Sequence, residues 1–278
     1  MSVASGVGRR VARPPSTVRS LDAVVRHLLW ANRRAPLTWG GGLGAMSALI
    51  AAMWPSIEDS VSKLMREYPP ALKTAFGIDE LDSLAAYVSA EMLSLIVPLA
   101  LIFLTVRCVV GATAGAEELG HLDVLLTLPL SRRVLVAGAL LAAAIVSAVV
   151  LAVTWAMTCV AGIVAGASVD AGALAAGFAD VWPLAMAFAG LGVLAVGLTS
   201  RPAVATGATV GIAVAMYVVD LVGKLSESLE PVRNVSAFRL YGTAVTDGLD
   251  PVHVAVLVAA ALALAIAGAV LFDRRDLR

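Results

Sequence analysis

Charge is what this chain has least of. Only 14% of its 278 residues are Asp, Glu, Lys or Arg, whereas ordinary soluble domains carry roughly 25%. With 60% hydrophobic residues and a mean hydropathy of +0.91, the chain is too apolar for an ordinary soluble domain, so the class is polytopic membrane protein. Lysine is almost missing: Lys63, Lys73 and Lys224 are the only three, and the other 17 of the 20 cations are arginines. Those 20 cations face 20 acids, so no net field favours nucleic acid or another acidic partner. Cysteine is nearly absent too. Cys108 and Cys159 both fall in apolar runs at different expected membrane depths, which makes them small core residues rather than a disulfide or redox pair. Strand-like alternation is also lacking, which excludes a β-barrel reading. The apolar runs, built from Ala, Val, Leu and Gly, are near the roughly 20 residues that a helix needs to cross about 30 Å of hydrocarbon.

The fold class that follows is all-α, with six transmembrane helices expected near residues 36–54, 90–112, 134–165, 174–198, 203–223 and 252–272. The third run is unusually long, but no charge or proline interrupts it before Asp170, so one tilted or protruding helix is expected. Residues 1–20 are polar and arginine-rich, read as a flexible cytosolic tail with no cleavable signal. Over residues 21–34, Leu21, Val24, Val25, Leu28 and Leu29 recur at helical spacing beside Arg26, Arg33 and Arg34, the pattern of an interfacial helix. Ile57, Val61, Leu64, Met65 and Tyr68 predict a short amphipathic helix outside the membrane, ended by Pro69 and Pro70. Between the last two spans, Leu225 and Leu229 precede Pro231, and Val235, Phe238 and Tyr241 form a second apolar set.

Loop cations set the orientation, because the positive-inside rule counts Lys and Arg and gives acids little weight. One face collects 13 arginines, at positions 9, 10, 13, 19, 26, 33, 34, 132, 133, 201, 274, 275 and 278; the other collects five cations, Lys63, Arg66, Lys73, Arg233 and Arg239. Arg107 and Lys224 lie near expected span boundaries and count for neither. Both termini and the loop Glu117 to Arg133 are therefore expected in the cytosol, and the preference for arginine over lysine with abundant Ala, Gly and Val, the mark of a GC-rich bacterial genome, makes the expected location a bacterial cytoplasmic membrane.

The polar residues decide between a permease, an enzyme and a passive scaffold. Gly40, Gly41, Gly42 and Gly44 resemble a glycine-rich loop, but they open a membrane span and no Lys followed by Ser or Thr comes after them. ATP and Mg, if used, belong to a separate chain. Glu117, Glu118 and His121 could start a membrane-embedded hydrolase site, yet two or three candidate groups without further ligands at membrane depth make a poor metal centre. Burying either glutamate in hydrocarbon would cost at least about 2.5 kcal/mol, which puts both outside it. From Glu118 onward, Leu119, Leu122, Leu125 and Leu126 form one apolar helical face, Pro129 ends it, Ser131 is placed to cap the next span, and Arg132 and Arg133 to reach lipid phosphates. Physics alone leaves this segment open between an amphipathic helix and an ordinary solvated loop. Glu91, Asp180 and Asp220 fall within a turn or two of expected span ends, so interfacial placement is favoured over a substrate or proton site. Gly207 and Gly211 form a weak small-xxx-small pair.

Glu117, Glu118, Gly120, Leu122, Leu125, Leu126, Pro129, Ser131 and Arg132 together resemble the acidic-Gly-leucine-Pro-Arg signature of ABC-2 type transporter permeases, the six-span membrane subunits of bacterial ABC exporters. Supporting likenesses are Ala75, Phe76 and Gly77, then Ser200 and Arg201, and the ending from Phe272 to Leu277. His121 departs from the small hydroxyl residue frequent in the family, and Ala139 from a frequent lysine. The resemblance implies a transmembrane domain over residues 21–278 and a cytosolic coupling helix that rests on a partner ABC ATPase through Glu117, Glu118, Gly120, Leu122, Asp123, Leu126, Pro129 and Arg132. It also implies a second permease copy or homologue as dimer partner, and export of an amphiphilic small molecule, drug or lipid. The alternatives are the hydrolase and a non-transporting scaffold subunit.

Overall fold

The computed structural model describes residues 17–67, 83–118, 131–199, 201–225 and 227–274. Among these residues helix is the only regular secondary structure, and six helices are long and apolar enough to span a membrane: Pro36–Glu58, Ile96–Glu118, Arg132–Val164, Ala171–Leu198, Pro202–Lys224 and Pro251–Asp273. The expected tail lies mostly outside the described residues, as do Tyr68, Pro69, Pro70, and the matches Ala75 to Gly77, Ser200 and Arg275 to Leu277. We call the face that carries the start of the first span and the end of the sixth the terminal face, and its opposite the distal face.

Local chemistry places most helix starts. Ser131 caps the third span by accepting from the Val134 N–H, Asp170 caps the fourth through Ala173, and Asp250 caps the sixth through Val252, with Pro251 in the first turn where its missing N–H costs nothing. The third span is a single helix of 33 residues. At 1.5 Å per residue that is about 50 Å, more than the roughly 30 Å hydrocarbon layer, so it protrudes.

Two boundaries differ from expectation. The first span does not stop before Pro55; the helix Gly41–Glu67 runs through it, absorbing the start of the amphipathic helix expected outside the membrane. Pro55 removes one intrahelical donor, a loss that a membrane helix tolerates when its neighbours are helical. The second apolar run is broken at Leu95, whose φ of −143° and ψ of −53° leave the helical region. A short apolar helix, Leu84–Leu93, therefore precedes the span, and Glu91 is exposed on it. The same shift leaves Arg107 midway along Ile96–Glu118, exposed, rather than near its boundary.

The fourth span is the centre of the bundle, with 72% of its apolar window buried against 22% for the fifth and sixth. Its tightest neighbour is the sixth. A Cβ on Gly190 would overlap the Ala261 carbonyl, and one on Gly268 would overlap the Leu194 backbone, so the two helices touch backbone to backbone. Hydroxyls and indoles bridge other pairs: Ser47 and Thr158 oxygens lie 2.7 Å apart between the first and third spans, and the Trp182 Nε1 donates to the Ala144 carbonyl at 3.1 Å. Gly40 and Gly44 pack against Val153 and Met157 of the third span, which gives the glycine-rich start of the first span a packing role. Gly207 and Gly211 face open space, so their spacing makes no helix contact within this chain.

The helix Thr17–Ala31 is more than an interfacial float. Val24 is buried with Val134 and Leu135, and Leu21, Leu28 and Ala116 pack against them. This ties the helix to the start of the third span and the end of the second.

Candidate functional site

Two places collect polar groups. On the distal side, the fifth span ends in Asp220 and Lys224, and the chain continues as a tight turn helix Glu227–Val235 that contains Pro231 rather than ending before it. Ser236 then donates its hydroxyl to the Met216 carbonyl at 2.7 Å and caps the turn Ala237–Leu240. That bond folds the segment back onto the bundle, where Phe238 is buried against Phe188, Tyr217 and Tyr241. Val235, expected in the same apolar set, is exposed instead.

The return brings charged and aromatic groups around a cavity of about 700 Å³. Asp220, only 3% exposed, accepts from Arg233 Nε at 2.9 Å and is paired with Lys224 Nζ at 2.9 Å. Asp180, 5% exposed, accepts one hydrogen bond, from the Gly242 N–H at 2.9 Å, and is paired with no cation among the described residues. Gly242 has φ of +105°, a region open mainly to glycine, and this aims its N–H inward at the carboxylate. Tyr241 donates to the Leu93 carbonyl at 2.6 Å. Burial first, and the Asp180 charge second, push its phenol well above the ordinary range, which keeps the donor protonated. Glu91 is exposed, as an interfacial residue is expected to be, whereas Asp180 and Asp220 are enclosed by the protein. Both are buried on one cavity wall, because residues 227–247 fold over the span ends that seemed open to water.

The second place is the terminal face, where the coupling residues are expected. Glu117 and Glu118 form the last turn of the second span; Glu118 is exposed, while Glu117 is half-buried with its Oε2 enclosed and without a hydrogen-bond partner among the described residues. Gly120, Leu122, Asp123, Leu126 and Pro129, together with His121, lie outside the described residues. Arg132 does not simply turn to lipid. Its Nη1 donates to the Phe272 carbonyl at 2.6 Å and its guanidinium lies 5.1 Å from the Phe272 ring centre. Arg133 pairs with Asp273 at 2.6 Å. The two arginines also fasten the start of the third span to the end of the sixth. Ala116 and Val134 share one small cluster, so the segment between them leaves and rejoins the bundle at a single point.

Sequence reasoning missed Gly242 as the partner of Asp180, and Arg233 and Lys224 as the partners of Asp220. Arg233 carried the one usable signal, as a cation on the cation-poor side. No group of three His, Cys, Asp or Glu side chains that could hold a metal occurs among the described residues, and both cysteines are free.

Residues 27–273 match the family described as multidrug efflux system permease Rv1217c, C-terminal domain. No curated protein matches the chain.

Proposed function

The chain belongs to that multidrug efflux permease family, and from this premise we propose that it is the membrane subunit of an ATP-driven exporter of the ABC-2 type, powered by a separate ATPase. The family match carries the reading; it makes the chain a multi-pass efflux permease and favours a transport subunit over the hydrolase alternative. The finer step, docking of an ATPase on Glu117, Glu118, Gly120, Leu122, Asp123, Leu126, Pro129 and Arg132, is supported by two observations. Glu117 Oε2 is a buried carboxylate oxygen that lacks a donor within the described residues, and such oxygens call for one. The segment also springs from a packed cluster and ends at Arg132, itself tied to the sixth span, so a push on it has rigid helices to act upon. In this reading the ATPase pair closes on ATP, engages two permease copies at the cytosolic face and favours an outward-facing arrangement by binding it more tightly than the inward one.

Co-purification with an ABC ATPase tests the proposal. The full chain is expected to retain the ATPase, and the triple variant Glu117→Ala, Glu118→Ala, Asp123→Ala is expected to lose both the complex and transport in reconstituted vesicles. A triple variant that keeps both would reject the docking role.

A further inference from the structure

We infer that the distal cavity binds lipophilic organic cations, with the Asp180 carboxylate as their counter-charge. The inference uses the efflux reading only in calling such a cation a cargo; binding itself needs no ATPase.

The two buried aspartates of this cavity differ in their pairing. Asp220 is neutralised within the chain by Lys224 and Arg233, each at 2.9 Å. Asp180 is as deeply buried, yet it has a single backbone N–H for a carboxylate that can accept several hydrogen bonds. A carboxylate removed from water without a cation is costly, and an arriving positive charge recovers that cost. The other titratable groups that act on it are His253 and Asp250, which lie 3.7 Å from each other.

The remaining charges of the cavity do not reverse this preference. Lys224 and Arg233 are committed to Asp220, and Arg239 and Asp247 are exposed at the rim, where water screens them and their signs cancel. The lining also includes the aromatic rings of Tyr217 and Tyr241, a residue type whose ring face attracts cations. A volume of about 700 Å³ lies within the roughly 300–1,000 Å³ of sites that take drug-sized molecules. A deep carboxylate, aromatic walls and this volume fit a bulky ammonium or phosphonium ion better than an anion or a sugar. A positive group of this kind could come from a soluble lipophilic cation or from the ammonium of a lipid head group.

Equilibrium dialysis of tetraphenylphosphonium against the purified full chain in a non-ionic detergent tests the inference. Asp180→Asn keeps an acceptor for Gly242 but removes the charge, and is expected to bind at least about tenfold more weakly than wild type. Tetraphenylborate has the same shape and the opposite charge, and is expected to show no affinity that depends on Asp180. Asp22→Asn, on the exposed face of the helix Thr17–Ala31 and outside the cavity, is expected to stay within about twofold of wild type. Equal affinity of wild type for the two ions, or wild-type affinity in Asp180→Asn, would overturn the inference; should that variant fail to fold, the two-ion comparison on wild type still decides. Competition by added phosphatidylethanolamine would make a lipid ammonium the occupant of the carboxylate site, and its absence would make the occupant a soluble cation. Loss of tetraphenylphosphonium binding in a chain that still co-purifies with its ATPase rejects this inference and leaves the efflux proposal standing.

Discussion

Asp220 holds two cations, and their exposure ranks what each contributes. The Lys224 side chain is 41% exposed, so its pairing is weakened by water and by the entropy of a long side chain. The Arg233 side chain is 21% exposed and hydrogen-bonded through Nε, so it depends far more on the aspartate. Lys224→Ala is expected to change stability by under about 1 kcal/mol. Asp220→Asn, which strands Arg233, is expected to cost roughly 1.5–3 kcal/mol. Thermal unfolding in detergent with both variants measures the order, and a larger loss for Lys224→Ala would contradict it. The sequence made these acids visible, since an acid in an apolar run is conspicuous. Their depth was illegible, because it is set by residues 227–247 folding back; the Gly242 that bonds Asp180 stands 62 positions beyond it, and no local spacing encodes that contact.

Between helices, close packing outweighs hydrogen bonding. The bond between Ser47 and Thr158 is buried and short, but such interhelical bonds average only about 0.6 kcal/mol because the separated helices find other partners in the membrane. The fourth and sixth spans instead meet through backbone at Gly190 and Gly268, and filling a packed interface costs typically about 1–3 kcal/mol or more. Gly190→Leu is therefore expected to lower the melting temperature well beyond Thr158→Val, with loss of monodisperse protein in size-exclusion chromatography; equal effects would refute the ranking. At this scale the sequence was most informative. Hydropathy located six spans, five of them within four residues and the second displaced by six, since the cost of exposing backbone to lipid leaves an apolar run little choice but helix. It failed at Pro55, a proline that did not end its helix, and at Leu95, where the break precedes Pro98, whose ring and missing N–H exclude a helical bond to the Ser94 carbonyl.

For the whole molecule, the proposed orientation places the terminal face in the cytosol and the distal cavity outside. With Cys108 and Cys159 replaced by alanine, a cysteine at Asp247 is expected to react with a membrane-impermeant maleimide on intact cells, and one at Arg274 only after the cells are opened. The reverse pattern would invert the proposed topology. The proposed ATPase contacts were legible only through a family signature. Physics placed Glu117 and Glu118 outside hydrocarbon and left their partner open, because a docking surface shows its chemistry fully only against its other half.

The enclosure of the fourth span also bears on how the protein is made. Its glycine-lined side is covered by a helix that leaves the ribosome only after the fourth and fifth are complete. Until then Gly190 faces lipid with its groove unfilled, and Asp180 waits for a loop not yet synthesised. The fourth span thus completes its packing only when residues 237–273 arrive.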